Sequence, residues 1–248
     1  MDASGRPNHR ADGPDLIIVA GVSGSGKTAF LSQLKSGRLP DGLVLPVGAA
    51  DWPIVQIEPG KRVCIQKLRR SITSRQSLPR RAQGVILHYD LKGWGEGHSD
   101  FENDPALALV SLARAVTVIN LRVSRDRIIR QLTDRETKKS AKYEREQGRL
   151  MWQLALPALK VADHILPKSF ARVIRRHTPY RKSRFLERLE VKIRAYALPG
   201  RLEEIHSRWA AYLSSIEKAG KPMKQIFVEP EAEPFSWRTT AERSFEST

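Results

Sequence analysis

A single cysteine, Cys64, stands in 248 residues. That excludes an intramolecular disulfide, and one thiol cannot supply a metal cluster by itself; a reducing cytoplasmic setting is expected. The six histidines are scattered without metal-ligand spacing. Long hydrophobic runs are also missing. Leu16 to Ala20 is too short for a signal h-region, and Ala106 to Leu121 is broken by Arg114 and Asn120, so no membrane span is expected. Acid is scarce too: 27 Asp and Glu face 43 Lys and Arg, a net charge of +16. A field of that sign favours polyanions such as nucleotides, nucleic acid, anionic glycans or anionic lipid, but it speaks to association and not to fold.

What is present is ordinary in amount, 40% apolar and 28% charged residues, and it is organised. Strand-like and helix-like stretches alternate, which predicts a three-layer α/β fold with a mostly parallel sheet of about five strands and a helical C-terminal extension. Strands are expected at Asp15–Ala20, weakly at Leu43–Val47, at Gly84–Tyr89, at Ala115–Leu121 and at Ala162–Leu166. Helices are expected at Lys27–Ser36, Pro105–Arg114, Ser124–Leu156 and 201–219. The last of these has Leu202, Ile205, Trp209, Leu213 and Ile216 at three- and four-residue intervals, between Gly200 and Gly220. One nucleotide-binding domain is predicted over 14–228, with 167–228 as its helical extension. The polar ends, 1–13 and 229–248, lack a sustained period and read as disordered.

Directly after the first strand the chain reads GVSGSGKT: Gly21, Val22, Ser23, Gly24, Ser25, Gly26, Lys27 and Thr28. This is the pattern of a phosphate-binding loop. Glycines let the backbone take positive φ and approach phosphate oxygens, and successive N–H groups with the following helix end make an anion-binding concavity. Lys27 is expected on the β- and γ-phosphates and the Thr28 hydroxyl on Mg²⁺. Chance supplies such a pattern in roughly one chain in a hundred of this length. Asp90 closes the apolar run VILHYD 62 residues after Thr28, where a carboxylate would serve the metal side or act as base on an acceptor hydroxyl. The expected ligands are therefore ATP and Mg²⁺.

Two further features bear on chemistry. VSRDRIIRQLTDRE carries Arg127, Arg130 and Arg135, arginines suited to stabilising charge on a transferring phosphoryl group. Lys61–Arg81 holds eight Lys and Arg and no acid, which suits an anionic acceptor; it has no aromatic residue for base stacking. A second basic stretch, Arg172–Arg194, contains Glu187 and Glu190 and reads as an amphipathic surface.

The GVSGSGKT loop, the Asp90-ended strand and the arginine helix resemble, in their order, small P-loop kinases such as gluconate kinase and adenylylsulfate kinase, over about residues 15–166. The resemblance implies phosphoryl transfer from ATP to a small acceptor, with Lys27, Asp90, Arg130 and Arg135 carrying it. The chain departs from those kinases where the acceptor is read: Ala50-Asp51-Trp52 replaces an acidic aspartate–glycine–aspartate region, and Gln131 stands where a lid arginine is expected. DLKG at Asp90–Gly93 also fits a GTPase motif, but INLRVSRD lacks the guanine-reading residues. Sulfotransferases share the fold without the full lysine-bearing loop. The alternative to a kinase is a nucleotide-dependent regulatory protein that engages nucleic acid or an anionic glycan.

Overall fold

The computed structural model describes residues 14–57, 84–91, 108–147, 161, 178–231 and 236–245. Its elements in chain order are β1 (Asp15–Gly21), α1 (Lys27–Lys35), a 3-10 turn at Ala49–Asp51, β2 (Ile54–Ile57) and β3 (Gly84–Asp90). There follow α2 (Ala108–Leu112), β4 (Val116–Leu121), α3 (Arg125–Gln147), α4 (Thr178–Ala197), α5 (Arg201–Lys218), β5 (Met223–Pro230) and β6 (Trp237–Phe245). The protein is α/β, with one mixed six-stranded sheet ordered β2-β3-β1-β4-β5-β6. The first five strands run parallel and β6 pairs antiparallel to β5. Among the described residues no helix is long and apolar enough to cross a membrane.

The chain divides into two compact units, 1–123 with 202–248, and 124–201. In the first unit β1 is the central strand, DLIIVAG, buried along its whole length. A strand covered on both faces must be apolar at consecutive positions, and β1, β3 and β4 all are. Parallel register places Val19 beside His88 and Ile119, and Ala20 beside Tyr89 and Asn120, so the two sets point to opposite faces. The α5 helix lies over the Ala20 face: Trp209 Nε1 donates to Asn120 Oδ1 at 2.7 Å, and Gln225 Nε2 donates to Glu217. Its buried stripe is Leu202, Ile205, Trp209 and Leu213, while Ile216, expected to continue it, is only half-buried. At the opposite end of the sheet Arg114 grips Asp15 with two bonds of 2.9 and 2.8 Å.

The second unit is built on α3 and α4, which pack on one another. Ile128, Leu132, Leu186, Leu189 and Tyr196 are its buried apolar side chains among the described residues.

Several expectations are corrected. Leu43–Val47 is not a strand; Pro46 has no N–H for a ladder, and Gly42 and Gly48 turn the chain at φ +74° and +77° on either side. The strand there is the short β2, farther on. Residues 223–228 belong to the sheet and not to a helical extension, and 229–248 is no featureless tail, since β5 runs to Pro230 and β6 follows. The described part of the expected helix Pro105–Arg114 is α2, and that of Ser124–Leu156 is α3. Residues 1–13, the expected strand Ala162–Leu166 and the basic segment 61–81 lie outside the described residues; of 172–194, the described part begins at Thr178 and is helical.

Candidate functional site

The carboxyl ends of β1 and β3 stand side by side, Gly21 opposite Asp90. In an open parallel sheet this edge is where ligands bind. Here the chain leaves β1 through Gly21–Gly26 and enters α1 at Lys27. Gly24 and Gly26 sit at φ +85° and +83°, a conformation that strains any residue with a Cβ. Gly21 is needed for another reason: a Cβ there would overlap Ser25 Oγ and come within 3.3 Å of Leu121 Cβ. The Ser25 N–H donates to the Val22 carbonyl at 3.1 Å, and the Phe30 N–H to that of Gly26 at 3.0 Å, which starts the α1 ladder. The N-cap of α1 is Gly26, so no side chain caps the helix's first N–H groups. An uncapped helix end behind two left-handed glycines is a concavity suited to an anion.

Lys27 is the buried cation of this loop, only 5% exposed. Its Nζ donates to the carbonyls of Gly21 and Val22, at 2.7 and 2.8 Å, and lies 4.0 Å from Asp90 Oδ2. The same Asp90 oxygen accepts a hydrogen bond from Ser23 Oγ at 2.8 Å. One carboxylate, 24% exposed, therefore ties the loop to the neighbouring strand through a serine and a lysine. Thr28 is exposed at the first turn of α1. Among the described residues no three His, Cys, Asp or Glu gather to hold a metal on their own. A cation at this site would thus lean on the Thr28 hydroxyl, Asp90, water and ligand oxygens, the pattern Mg²⁺ adopts with phosphates.

His88 lies two residues before Asp90 on the same strand face. Burial, and then the Lys27 ammonium, lower its imidazole to about 4, against a smaller opposing pull from Asp90. It is neutral at pH 7, and its Nε2 is buried without a partner among the described residues. Period-two alternation along VILHYD marks His88 as a companion of Asp90. Ser23, by contrast, occupies an unconstrained position of the loop motif, so nothing local announces its bond to Asp90.

On the opposite face Asn120 is buried with its Oδ1 on Trp209 and its Nδ2 unpartnered among the described residues. Trp209 is stacked between Tyr89 and Tyr212, with ring centroids 5.4 and 5.6 Å away.

Of the residues expected from sequence, the structure brings together Gly21 to Lys27 and Asp90. Arg130 and Arg135 belong to the second unit, where both are exposed on α3 and the Arg135 guanidinium lies 5.5 Å over the Phe185 ring. No protein-family model, no curated protein and no solved structure matches the chain.

Proposed function

We propose that the chain binds a magnesium nucleoside triphosphate at Gly21–Thr28 and transfers its γ-phosphoryl group to a small hydroxyl-bearing acceptor, the P-loop kinase architecture being the finer description of its α/β fold. The observation that carries this is the Lys27 ammonium, buried within a left-handed glycine loop and 4.0 Å from a carboxylate that ends the adjacent parallel strand.

In this mechanism the loop N–H groups and the α1 terminus hold the phosphates, and Lys27 turns from the Gly21 and Val22 carbonyls to the β- and γ-oxygens. Asp90 accepts the acceptor's proton as its oxygen forms a bond to Pγ, while the bond from Pγ to the β,γ-bridging oxygen breaks and the nucleoside diphosphate leaves. When bound, Mg²⁺ would supply charge neutralisation on the phosphates, held by the Thr28 hydroxyl and, where it does not serve as the base, by Asp90. Arg130 and Arg135 enter as the sequence-based expectation of charge-stabilising arginines; Arg130→Ala then lowers turnover with little change in nucleotide affinity. The test is acceptor-stimulated ADP release across a panel of sugars and other hydroxyl metabolites, abolished in Asp90→Asn. No acceptor raising turnover above basal hydrolysis refutes the kinase assignment.

One observation favours a second reading. Residues 124–201 contain 21 Lys and Arg against 8 Asp and Glu, a net +13, while the rest of the chain has 22 against 19, a net +3. The charge is concentrated in the second unit, as expected of a nucleotide-dependent protein that engages a polyanion such as nucleic acid or an anionic glycan. Such binding weakens steeply with salt and survives Asp90→Asn. Absence of binding to DNA, RNA and sulfated glycan at low salt eliminates it.

A further inference from the structure

The C-terminal strand is built into the phosphate loop. In the antiparallel pair β5–β6, Met223 faces Phe245, Gln225 faces Arg243 and Phe227 faces Ala241. Continued regularly, that alternation would put Trp237 on the same sheet face as these residues, the face covered by α5. A bulge intervenes: Phe227 pairs with Ala241, but Val228 pairs with Thr239, leaving Thr240 as the extra residue with its Oγ1 on the Phe227 carbonyl at 3.2 Å. The extra residue exchanges faces, which is what a bulge does to the side chains beyond it. Thr239 and Trp237 therefore point to the face that bears Ile226 and Val228, the α1 face.

There Trp237 is buried, 5% exposed, with its indole edge-on to Phe30 at 5.6 Å between centroids. Its Cζ2 and Cη2 atoms stand 3.0 and 3.1 Å from where a Cβ on Gly26 would be. Gly26 is the residue at which the loop turns into α1, and Phe30 accepts the consequence one turn later, its N–H bonded to the Gly26 carbonyl. Asp41 bridges to Arg238, and Gly42 closes on Thr239, so the chain that leaves α1 flanks the same end of β6. The contact is incompletely satisfied. Trp237 Nε1 and Thr239 Oγ1 are both buried without a hydrogen-bond partner among the described residues. A docked strand with two unmet polar groups is held less firmly than its apolar contacts alone would hold it.

We propose that Trp237 is a positioning residue for the phosphate loop and that β6 is a latch coupled to nucleotide binding. The indole blocks the space beside Gly26 and fixes the left-handed turn that aims the loop. Nucleotide rigidifies that turn and so secures the strand, and by linkage the docked strand raises nucleotide affinity by the same factor. This inference rests on the loop holding a nucleotide, and its ligand-free arm is independent of that.

Amide hydrogen exchange on the full chain, with and without Mg·ADP, is the test, combined with calorimetric titration of Mg·ADP into wild type, Trp237→Ala, Trp237→Phe and Lys27→Ala. Mg·ADP is expected to slow exchange across 237–245 by more than in the opposite edge strand 54–57. Without ligand, Trp237→Ala speeds exchange at Gly24–Thr28. It also weakens Mg·ADP by about tenfold, within the span usual for coupled sites, and Trp237→Phe recovers most of the loss by keeping a ring against Phe30. If Trp237→Ala lowers the melting temperature yet leaves both the loop's exchange and the affinity unchanged, the indole is mere packing and the latch is overturned. If that variant fails to fold, unchanged exchange of 237–245 in a wild type that calorimetry shows to bind Mg·ADP overturns it equally. A wild type indifferent to Mg·ADP, or matched by Lys27→Ala, sinks the nucleotide assignment instead, and the ligand-free exchange of Gly24–Thr28 still decides whether Trp237 shapes the loop.

Discussion

Replacing Lys27 by methionine separates what the lysine does for the fold from what it does for a ligand. The ammonium donates charge-assisted bonds to the Gly21 and Val22 carbonyls, each worth about 1.5–3 kcal/mol. Against them stands the cost of taking a nearly buried ammonium out of water, several kcal/mol after relaxation. Methionine fills a similar volume without that cost, and the Asp90 it leaves behind keeps its Ser23 bond and part of its solvation. The net change in stability is therefore expected within about 2 kcal/mol, or a melting shift below about 8 °C at 2–4 °C per kcal/mol for a chain of this size. The ligand side has no such cancellation. A charged bond to phosphate worth about 1.5–3 kcal/mol corresponds to a loss of about tenfold to a hundredfold in affinity for Mg·ADP. Scanning calorimetry and titration on the same samples provide both readings. Adding Asp90→Asn closes a double-mutant cycle. Unit charges 4.0 Å apart give a coupling of about 1 kcal/mol if screened as in water and about 4 at an effective dielectric of 20. A folded Lys27→Met that binds Mg·ADP as wild type does, or one that collapses while its affinity is untouched, refutes the assignment of Lys27 to a phosphate.

His88 makes acid stability a local property. Its folded value, about 4, lies below the unfolded 6.5, so the unfolded chain takes up the proton first. This contribution is complete above pH 6.5 and is lost as pH falls toward 4. Urea unfolding at pH 7 and 4.5 should show a markedly smaller pH difference in His88→Gln, and an identical difference in the two proteins disproves it. Trp209→Phe keeps the stack with Tyr89 and Tyr212 but strips Asn120 of its one described partner. The expected cost is about 1–3 kcal/mol, a fall in melting temperature of about 2–12 °C. A following Asn120→Leu should recover part of it; no recovery means the amide was not the cause. Gly84→Ala puts a Cβ into the fully buried Trp52 ring and 2.6 Å from the Asp15 carbonyl. Overpacking of about 1–3 kcal/mol or more should lower the urea midpoint, and an unmoved midpoint would show that β1 and β3 part there without resistance.

The central strands could be read from sequence because burial on both faces forces consecutive apolar residues, as in LIIVA, VILHY and VTVINL. The loop was legible because its demands are local: positive φ at Gly24 and Gly26, and no space for a side chain at Gly21. Asp90 followed from the end of an apolar run. The edges of the sheet were not legible in this way. Leu43–Val47 has the composition of a strand, yet Pro46 and two left-handed glycines deny it a ladder, while β2 takes the edge with four residues. The end of the chain misled for the opposite reason. WRTTAERSF alternates too little and is too polar to announce a strand, because β6 is an edge strand whose outward positions are exposed.

The same contrast explains why the loop's motif was visible and its support was not. A phosphate loop is specified by what eight neighbouring residues can do with their own backbone. What holds it is supplied from far along the chain: Asp90 on Ser23 and Lys27, Leu121 against Gly21, Trp237 against Gly26. The last of these depends on two distant circumstances at once, the pairing of β6 with β5 and a one-residue bulge that turns the indole toward α1. Neither leaves a period in the sequence. Deleting Arg238 would leave Trp237 itself intact but set it opposite Glu229 in the ladder, and the indole would then be carried to the α5 face. Weaker Mg·ADP binding in that deletion, with the sheet still formed by circular dichroism, would show that the orientation of Trp237 and not its mere presence shapes the loop.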